Sequence, residues 1–377
     1  MKRVASIVLN NFIRDNRVLK ENISLQNAGY KTCIIALHDK DLLEEELVEG
    51  VRVKRVKINK IYRGKSFIIS GLKYFSFLYR AFKLTKSYDI IHCNDLETLP
   101  VGYFRKLINK KTKVVYDAHE FEIFRSNNSH PSRIWLNKLI EKWFIKSANA
   151  VITVSDSIAD EYVKLYNIPR PYLIYNCPSI SYSDNNKTYN LFGEKFKLRS
   201  DQKIFLYQGG LTFGRGIDSI IETFSKMNTD KYVSIFMGFG SYISKIEAAA
   251  KESNNIYLHP AVEMKEIDKY SKSADWGLIT TEPISINNDL SLPNKLFEYV
   301  MAEIPILAFP TKEIKNMIEK MKIGIVTDDF TVESFTKAIE LASKMDTNTY
   351  KEQLIKMKHK YNWENQEKLL IEIYKSL

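Results

Sequence analysis

Residues 205–224 read FLYQGGLTFGRGIDSIIETF. The apolar run ending at Gln208 reads as a strand. Gly209, Gly210, Gly214 and Gly216 follow within eight residues, and a helix starts near Gly216. Strand, glycine-rich loop and helix in succession is the unit from which helix-covered parallel sheets are built. Glycines let backbone N–H groups close on an anion, and a helix N-terminus adds partial positive charge. Arg215 stands at that opening, with a forked grip for phosphate oxygens. A glycine-rich turn with a surface arginine is the plainer reading of the same residues.

The alternation extends in both directions. Before residue 180 the short apolar runs VASIVL, KTCIIAL, DIIHC, TKVVYDA, AVITVS and YLIYN read as strands. Helical patterns over 14–28, 98–109, 133–147 and 156–167 separate them. The polar, turn-rich stretch 179–190 (SISYSDNNKTYN) reads as a linker, after which KIFLYQG, VSIFMG, NIYLH, WGLIT, IPILAF and IGIVT repeat the pattern. Buried parallel strands in two series predict two doubly wound α/β domains, 1–180 and 191–360, with ligands at the carboxyl ends of the strands. The terminal YNWENQEKLLIEIYKSL (361–377) predicts a helix anchored by Trp363, Leu370 and Ile373, capping the second domain or crossing back to the first.

Residues 291–309, SLPNKLFEYVMAEIPILAF, form another strand–loop–helix junction after WGLIT. Pro293 suits the first position of a two-turn helix, and Lys295 and Glu298 stand three apart on one side of it. Alone, the pair reads as a surface ion pair worth about 0–1 kcal/mol. Beside the glycine loop it reads differently: Lys295 as a phosphate contact, and Glu298 as a carboxylate accepting both hydroxyls of a ribose. The first strand, by contrast, ends in LNNFIRDNRV with no glycine, which speaks against a dinucleotide-binding oxidoreductase.

The 377 residues carry a net charge of +11. Residues 1–180 hold 30 basic and 18 acidic residues, so the whole excess belongs to the first half. Residues 50–88 contain 11 basic residues, eight Phe or Tyr and no acid. Within them Ile68, Leu72, Phe75, Tyr79 and Phe82 fall at helical spacing. One reading packs that stripe on the first sheet with Lys73, Arg80, Lys83 and Lys86 outward; the other lays a basic aromatic surface on anionic lipid. No nucleic-acid motif accompanies the charge. Cys33, Cys93 and Cys177 lack metal or disulfide spacing, which predicts a reducing cytoplasmic setting and no metal. No 18-residue apolar run predicts a spanning helix, and MKRVASIVLNNF reads as a first strand, not a leader.

YQGGLTFGRG, SLPNKLFEYVMAEIPILAF, DLETLP (95–100), VVYDAHE (114–120), VITVSDSIA (151–159) and YNWENQEKLLIEIY together resemble the family 4 glycosyltransferases of GT-B fold. The resemblance implies two Rossmann-like domains facing a central cleft. A nucleotide-diphosphate sugar would bind mainly to the second and an acceptor mainly to the first, with the terminal helix packed on the first. It implies sugar transfer to an acceptor hydroxyl in polysaccharide or glycolipid synthesis, with retention and without cofactor or metal. By position, Glu298 resembles the second glutamate of the family's E-x7-E motif, and Arg215 the lysine of its K-G pair. Gly209, Gly210, Ser291, Asn294 and Lys295 complete the donor side. His119 resembles the histidine beside the reacting carbon, a structural strand-end histidine being the alternative. Asp15, Arg17 and Glu120 fall on the acceptor side, although a helix-terminal ion pair explains Asp15 and Arg17 as well.

Two departures stand out. The first glutamate of the motif is replaced by Leu290, so sugar recognition would pass to Asn287, Asn288, Asp289 or Ser291. The arginine usual after the first loop glycine is replaced by Gly210, leaving Arg215 and Lys295 to face the diphosphate. The stretch NIYLHPAVE (255–263) is expected to border the base, and its residues do not tell uracil from guanine. An epimerase or phosphorylase on the same fold, or a non-catalytic nucleotide-sugar-binding regulator, are the rival readings. The expected location is cytoplasmic, with or without peripheral attachment to the inner face of the membrane.

Overall fold

The computed structural model describes residues 1–13, 15–58, 67–124, 131–183 and 189–377, the side chains of 67 and 68 excepted. The chain divides into two compact units, Met1–Tyr175 with Glu367–Leu377, and Asn176–Gln366. Residues 184–188 of the expected linker lie outside the described residues.

The first unit is built on strands β1 (Arg3–Ile7), β2 (Lys31–Leu37), β3 (Glu45–Val48), β4 (Val51–Val56), β5 (Ile90–Asn94), β6 (Lys113–Ala118), β7 (Ala150–Thr153) and β8 (Tyr172–Leu173). They form one sheet in the order β3-β4-β2-β1-β5-β6-β7-β8, parallel throughout except for the β3–β4 pair. Helices α1 (Asn16–Asn27), α2 (Phe67–Leu84), α3 (Leu99–Ile108), α4 (Pro131–Phe144) and α5 (Asp156–Tyr166) connect them. The central strands are mostly apolar where both faces are covered (Val4, Ile34, Ile91 and Val115 have no exposed surface), with polar Ser6, His92, Asn94 and Asp117 buried toward their carboxyl ends.

Two features of this unit depart from the sequence reading. The β3–β4 hairpin was not expected. VRVKRV lies between β2 and β3 with Val51, Val53 and Val56 buried; Arg52 faces out, whereas Arg55 is buried and donates to the Asn11 and Leu43 carbonyls at 3.0 Å. The orientation of α2 is also reversed. Phe77, Ala81 and Thr85 are buried, whereas Leu72, Phe75 and Tyr79 of the expected core stripe are 44%, 66% and 59% exposed. The side chain of Ile68 lies outside the described residues, and Phe82 is half-buried under Arg105, whose guanidinium lies 4.0 Å from its ring centre.

The second unit contains helix α6 (Leu191–Phe196) and strands β9 (Lys203–Gly210), β10 (Tyr232–Phe239), β11 (Ile256–Pro260), β12 (Trp276–Ile279), β13 (Ile306–Ala308) and β14 (Gly324–Val326). All six strands run parallel, in the order β11-β10-β9-β12-β13-β14. Helices α7 (Ile217–Lys226), α8 (Ile243–Glu252), α9 (Met264–Ser271), α10 (Ile286–Leu290), α11 (Asn294–Met301), α12 (Lys312–Met321), α13 (Val332–Lys344) and α14 (Lys351–Lys360) cover it. Phe205, Tyr207, Phe224, Phe236, Trp276 and Phe335 fill its core. Helix α15 (Trp363–Ser376) starts in this unit, and its residues from Glu367 belong to the first. There Tyr374 is buried between Tyr30 and His92, and its hydroxyl lies 2.7 Å from His92 Nδ1.

Candidate functional site

In the second unit, β9 carries Tyr207, Gln208, Gly209 and Gly210 to its carboxyl end, next to α11. Gly216 has φ +66°, and a Cβ there would fall 2.2 Å from the Thr280 carbonyl oxygen, so only glycine fits. Thr280 Oγ1 donates to the Arg215 carbonyl at 2.7 Å, pinning the loop as it enters α7. No side chain caps the N-terminus of α7 or of α11, where Pro293 is the capping residue instead of the first helical one.

Lys295 does not extend into solvent. It is 8% exposed, and its Nζ lies 3.3 Å from the centre of the Tyr207 ring. Burial, then the Arg215 charge, push its pKa well below the usual lysine range, with Glu298 opposing. Lys295 makes no ion pair with a carboxylate among the described residues. Glu298 is turned toward Gln208, whose amide Nε2 donates to Oε2 at 2.5 Å. Gln208 is itself fixed: Ser271 Oγ donates to its Oε1 at 2.8 Å, and its backbone N–H donates to the Tyr299 hydroxyl at 3.2 Å. A held carboxylate and a cation without an anion thus lie one helical turn apart.

The other donor-side residues are placed as follows. Gly209 has φ +108° and its missing Cβ would meet Lys295 Cε at 3.7 Å, while Gly210 faces open space. Ser291 closes α10, and Asn294 opens α11 with its side chain exposed. Leu290 is 5% exposed, a packing residue where the motif has glutamate. Asp289 Oδ1 accepts from the Lys312 N–H at 2.8 Å at the start of α12, and Asn288 donates to the Glu282 carbonyl at 3.0 Å.

In the first unit, charged side chains converge at the carboxyl ends of β5 and β6. Arg17 is 5% exposed and forks onto Asp117, with Nη2 at 2.9 Å from both carboxylate oxygens and Nε at 3.1 Å from Oδ2. Its Nη1 donates to the Ile174 carbonyl at 2.9 Å, and its Nε lies 3.1 Å from Glu21 Oε1. Arg17 is therefore enclosed within this unit, away from the open acceptor-side position expected of it. Asp15 caps α1 by accepting from Val18 N–H at 3.3 Å and takes a 2.9 Å hydrogen bond from Asn10. It also lines an open concavity with Asn10, Asn11 and Ile13.

His119 sits between two carboxylates, Nε2 3.3 Å from Asp117 Oδ2 and Nδ1 3.5 Å from Asp95 Oδ1, with its side chain 19% exposed. Burial disfavours its charged form, but Asp95 and Asp117 outweigh that and raise its pKa to about 9. Asp95 holds φ +62° and ψ 165°, a strained conformation costing about 1–3 kcal/mol, and its Oδ1 also faces the His119 N–H at 3.4 Å. Glu120 follows, half-buried. Glu21, His92 and Asp117 bring ligand-type atoms within 4.8 Å of one another, with Arg17 already supplying positive charge to the two carboxylates.

Residues 23–179 match the model of Glycosyltransferase Family 4, and residues 191–362 match that of Glycosyl transferases group 1. The chain belongs to the family 4 glycosyltransferases. An uncharacterized glycosyltransferase of Methanocaldococcus jannaschii is 29% identical over 145 residues, which is 37% of this chain and 37% of that protein. Sucrose-phosphate synthase from Thermosynechococcus elongatus superposes over 100% of this chain and 99% of its own, at a TM-score of 0.78 and 13% identity. Anabaena HepE, solved with UDP and glucose, matches over 100% of both chains at 0.77 and 13%. At these identities the likeness establishes the GT-B fold of this glycosyltransferase.

Sequence reasoning missed Tyr207, Gln208 and Asp117. A glutamine at a strand end directly before a Gly-Gly pair was the available signal for Gln208. For Asp117 it was its place two residues before His119, on the same side of the strand.

Proposed function

We propose that this glycosyltransferase moves a sugar from a nucleoside-diphosphate sugar to an acceptor hydroxyl of a growing glycan or glycolipid, with retention of configuration. The observation that carries the reading is Lys295: buried, over the Tyr207 ring and with no carboxylate in ion-pair contact among the described residues, beside Gly209 and one turn before a glutamate held by Gln208. A buried cation without a counter-ion is costly unless a ligand supplies one. A diphosphate answers Lys295 and Arg215, and a ribose diol answers Glu298. As the glycosidic bond breaks, charge grows on the β-phosphate oxygens, where fixed cations and uncapped helix N-termini stabilise it most. HepE was solved with UDP and with UDP-glucose, which favours a uridine nucleotide among the donors. We further propose a cytoplasmic setting, no cofactor or metal, and an acceptor carried at the membrane, with His119 on the acceptor-bearing unit.

Thermal unfolding with UDP, GDP and CDP tests the donor. At about 100 times its dissociation constant a nucleotide adds roughly 2.7 kcal/mol, a shift of a few degrees. One of the three should give that shift in the wild type and not in Glu298→Ala. No shift with any of them would favour the regulatory reading. Anomeric analysis of the product then separates retention from inversion, and transfer from epimerisation.

Gly210→Arg should tighten the same nucleotide. A side chain at 210 meets nothing within 4 Å, and the backbone there is outside the left-handed region. An added guanidinium reaching the diphosphate is worth roughly 1.5–3 kcal/mol, about tenfold or more in affinity. Calorimetric titration showing no gain would mean that position 210 does not face the phosphates.

A further inference from the structure

Helices α2, α3 and α4 lie side by side on the first unit. Arg105 of α3 stacks on Phe82 of α2, and Tyr103 of α3 meets Phe144 of α4 at 4.9 Å between ring centres. Helix α4 is fixed from beneath by Glu141, which accepts hydrogen bonds from Tyr116, Tyr162 and Tyr166 at 2.5, 2.9 and 2.6 Å. With its inner face committed in this way, the outer face of α4 carries Trp135 and Trp143, 63% and 74% exposed. Phe75 and Tyr79 of α2 are 66% and 59% exposed, and Leu107 and Ile108 of α3 are 62% and 70% exposed.

Among the described residues, ten of the 22 large apolar side chains left exposed are on these three helices, which have only 18, 10 and 14 residues. Their sequences contain a single acid, Glu141, and it is buried. Lys83, Lys138 and Lys142 are exposed between the apolar residues, and Lys110, Lys111 and Lys146 are exposed just beyond the helix ends. Lysines near the C-termini of helices are explained by the helix dipole alone. Two exposed tryptophans, a phenylalanine and adjacent exposed Leu107 and Ile108 are not.

We infer that this three-helix face is the surface by which the enzyme lies on an anionic lipid bilayer. Tryptophan and tyrosine at the headgroup level, aliphatic side chains below it and lysines between them are the composition that such an interface takes. Charge decides among the occupants. A second copy of the chain would present the same cationic face and be repelled, and the aliphatic tips give a nucleic acid nothing to bind. Anionic headgroups over acyl chains complement both components. The inference extends the membrane-borne acceptor in the proposed function, moving the footprint from the segment 50–88 to include α3 and α4. The donor reading stands or falls separately.

The test is sedimentation of the full chain with phosphatidylcholine vesicles, with and without phosphatidylglycerol, for the wild type, Trp135→Ser/Trp143→Ser and Lys138→Glu/Lys142→Glu. The other two tryptophans, Trp276 and Trp363, are 0% and 6% exposed, so emission reports mainly the proposed surface. The wild type should sediment only with the anionic vesicles, and its emission should shift to the blue. Both variants should bind at least about tenfold more weakly, since each tryptophan buries a large apolar area. A nucleotide-induced melting shift equal to the wild type's in each variant shows that fold and donor site are intact. Undiminished sedimentation of the tryptophan variant would reduce the face to charge adsorption and overturn the inference. So would a wild type that ignores both vesicles and is instead retained by an acidic protein or a nucleic acid.

Discussion

Replacing Lys295 by methionine is expected to raise the melting temperature of the unliganded protein while lowering glycosyl transfer by about 10²–10³-fold, the usual loss when one preorganised charge-stabilising group is removed. The two effects share one cause. Lys295 is buried over Tyr207 with no anion among the described residues, and burial holds its pKa well below the usual value. A lysine whose folded pKa is depressed gives up its proton more readily on folding. Its charged form therefore costs stability below the unfolded pKa, a cost that fades as pH rises. Methionine keeps the volume and removes that cost. A bound diphosphate reverses the balance by raising the lysine's pKa, so nucleotide binding should take up a proton and weaken as pH rises. Calorimetry in two buffers of different ionisation enthalpy measures that proton. The outcome that would sink the idea is a methionine variant that melts lower and still binds nucleotide, because Lys295 would then be a packing residue.

The opposite signs of these effects bear on what can be read from a chain. Both sheets were legible because a buried parallel strand needs an unbroken apolar run, and 12 of the 14 strands come from such runs. The β3–β4 hairpin was not, because VRVKRV advertises its charge more loudly than its alternation. The face of α2 was misread for a related reason. Periodicity identifies an apolar stripe but not which stripe meets the sheet, and a helix with two apolar faces leaves that choice to its neighbours. Glycine loop, Lys295 and Glu298 could be recognised as a group since their spacing is local. Gln208 could not be tied to Glu298, 90 positions away, nor Arg17 to Asp117, 100 away, because a hydrogen bond between a strand and a helix distant in the chain leaves no local pattern.

Asp117→Asn should cost the first unit about 3–5 kcal/mol, the price of stranding one partner of a buried ion pair. Arg17 would keep Glu21 as its nearest acid. Yet Glu21 is a poor substitute, for its burial, which disfavours the charged form, persists in the variant; in the wild type burial and the neighbouring Asp117 raise its pKa to about 8 against the opposing pull of Arg17 and His119. Both Glu21 oxygens are buried, with Arg17 Nε 3.1 Å from Oε1 and Asp117 the neighbouring carboxylate that favours the protonated form. The pH dependence follows with a definite sign. Between 4.5 and about 8 the folded state holds a proton on Glu21 that the unfolded chain has released, so stability falls as pH rises. His119, raised from 6.5 to about 9, adds a loss of the same sign over its own window. Asp117 acts in the other direction, losing its contribution only as pH falls below 3.8 toward its depressed value. Each proton can contribute a slope of up to about 1.4 kcal/mol per pH unit. Glu21→Gln imitates the protonated carboxyl. It should match the wild type near pH 5 and decline less steeply from pH 6 to 8 (denaturant melts at each pH supply the comparison). Parallel curves for the two proteins would assign the proton to another group, and would leave Arg17 paired equally with both acids.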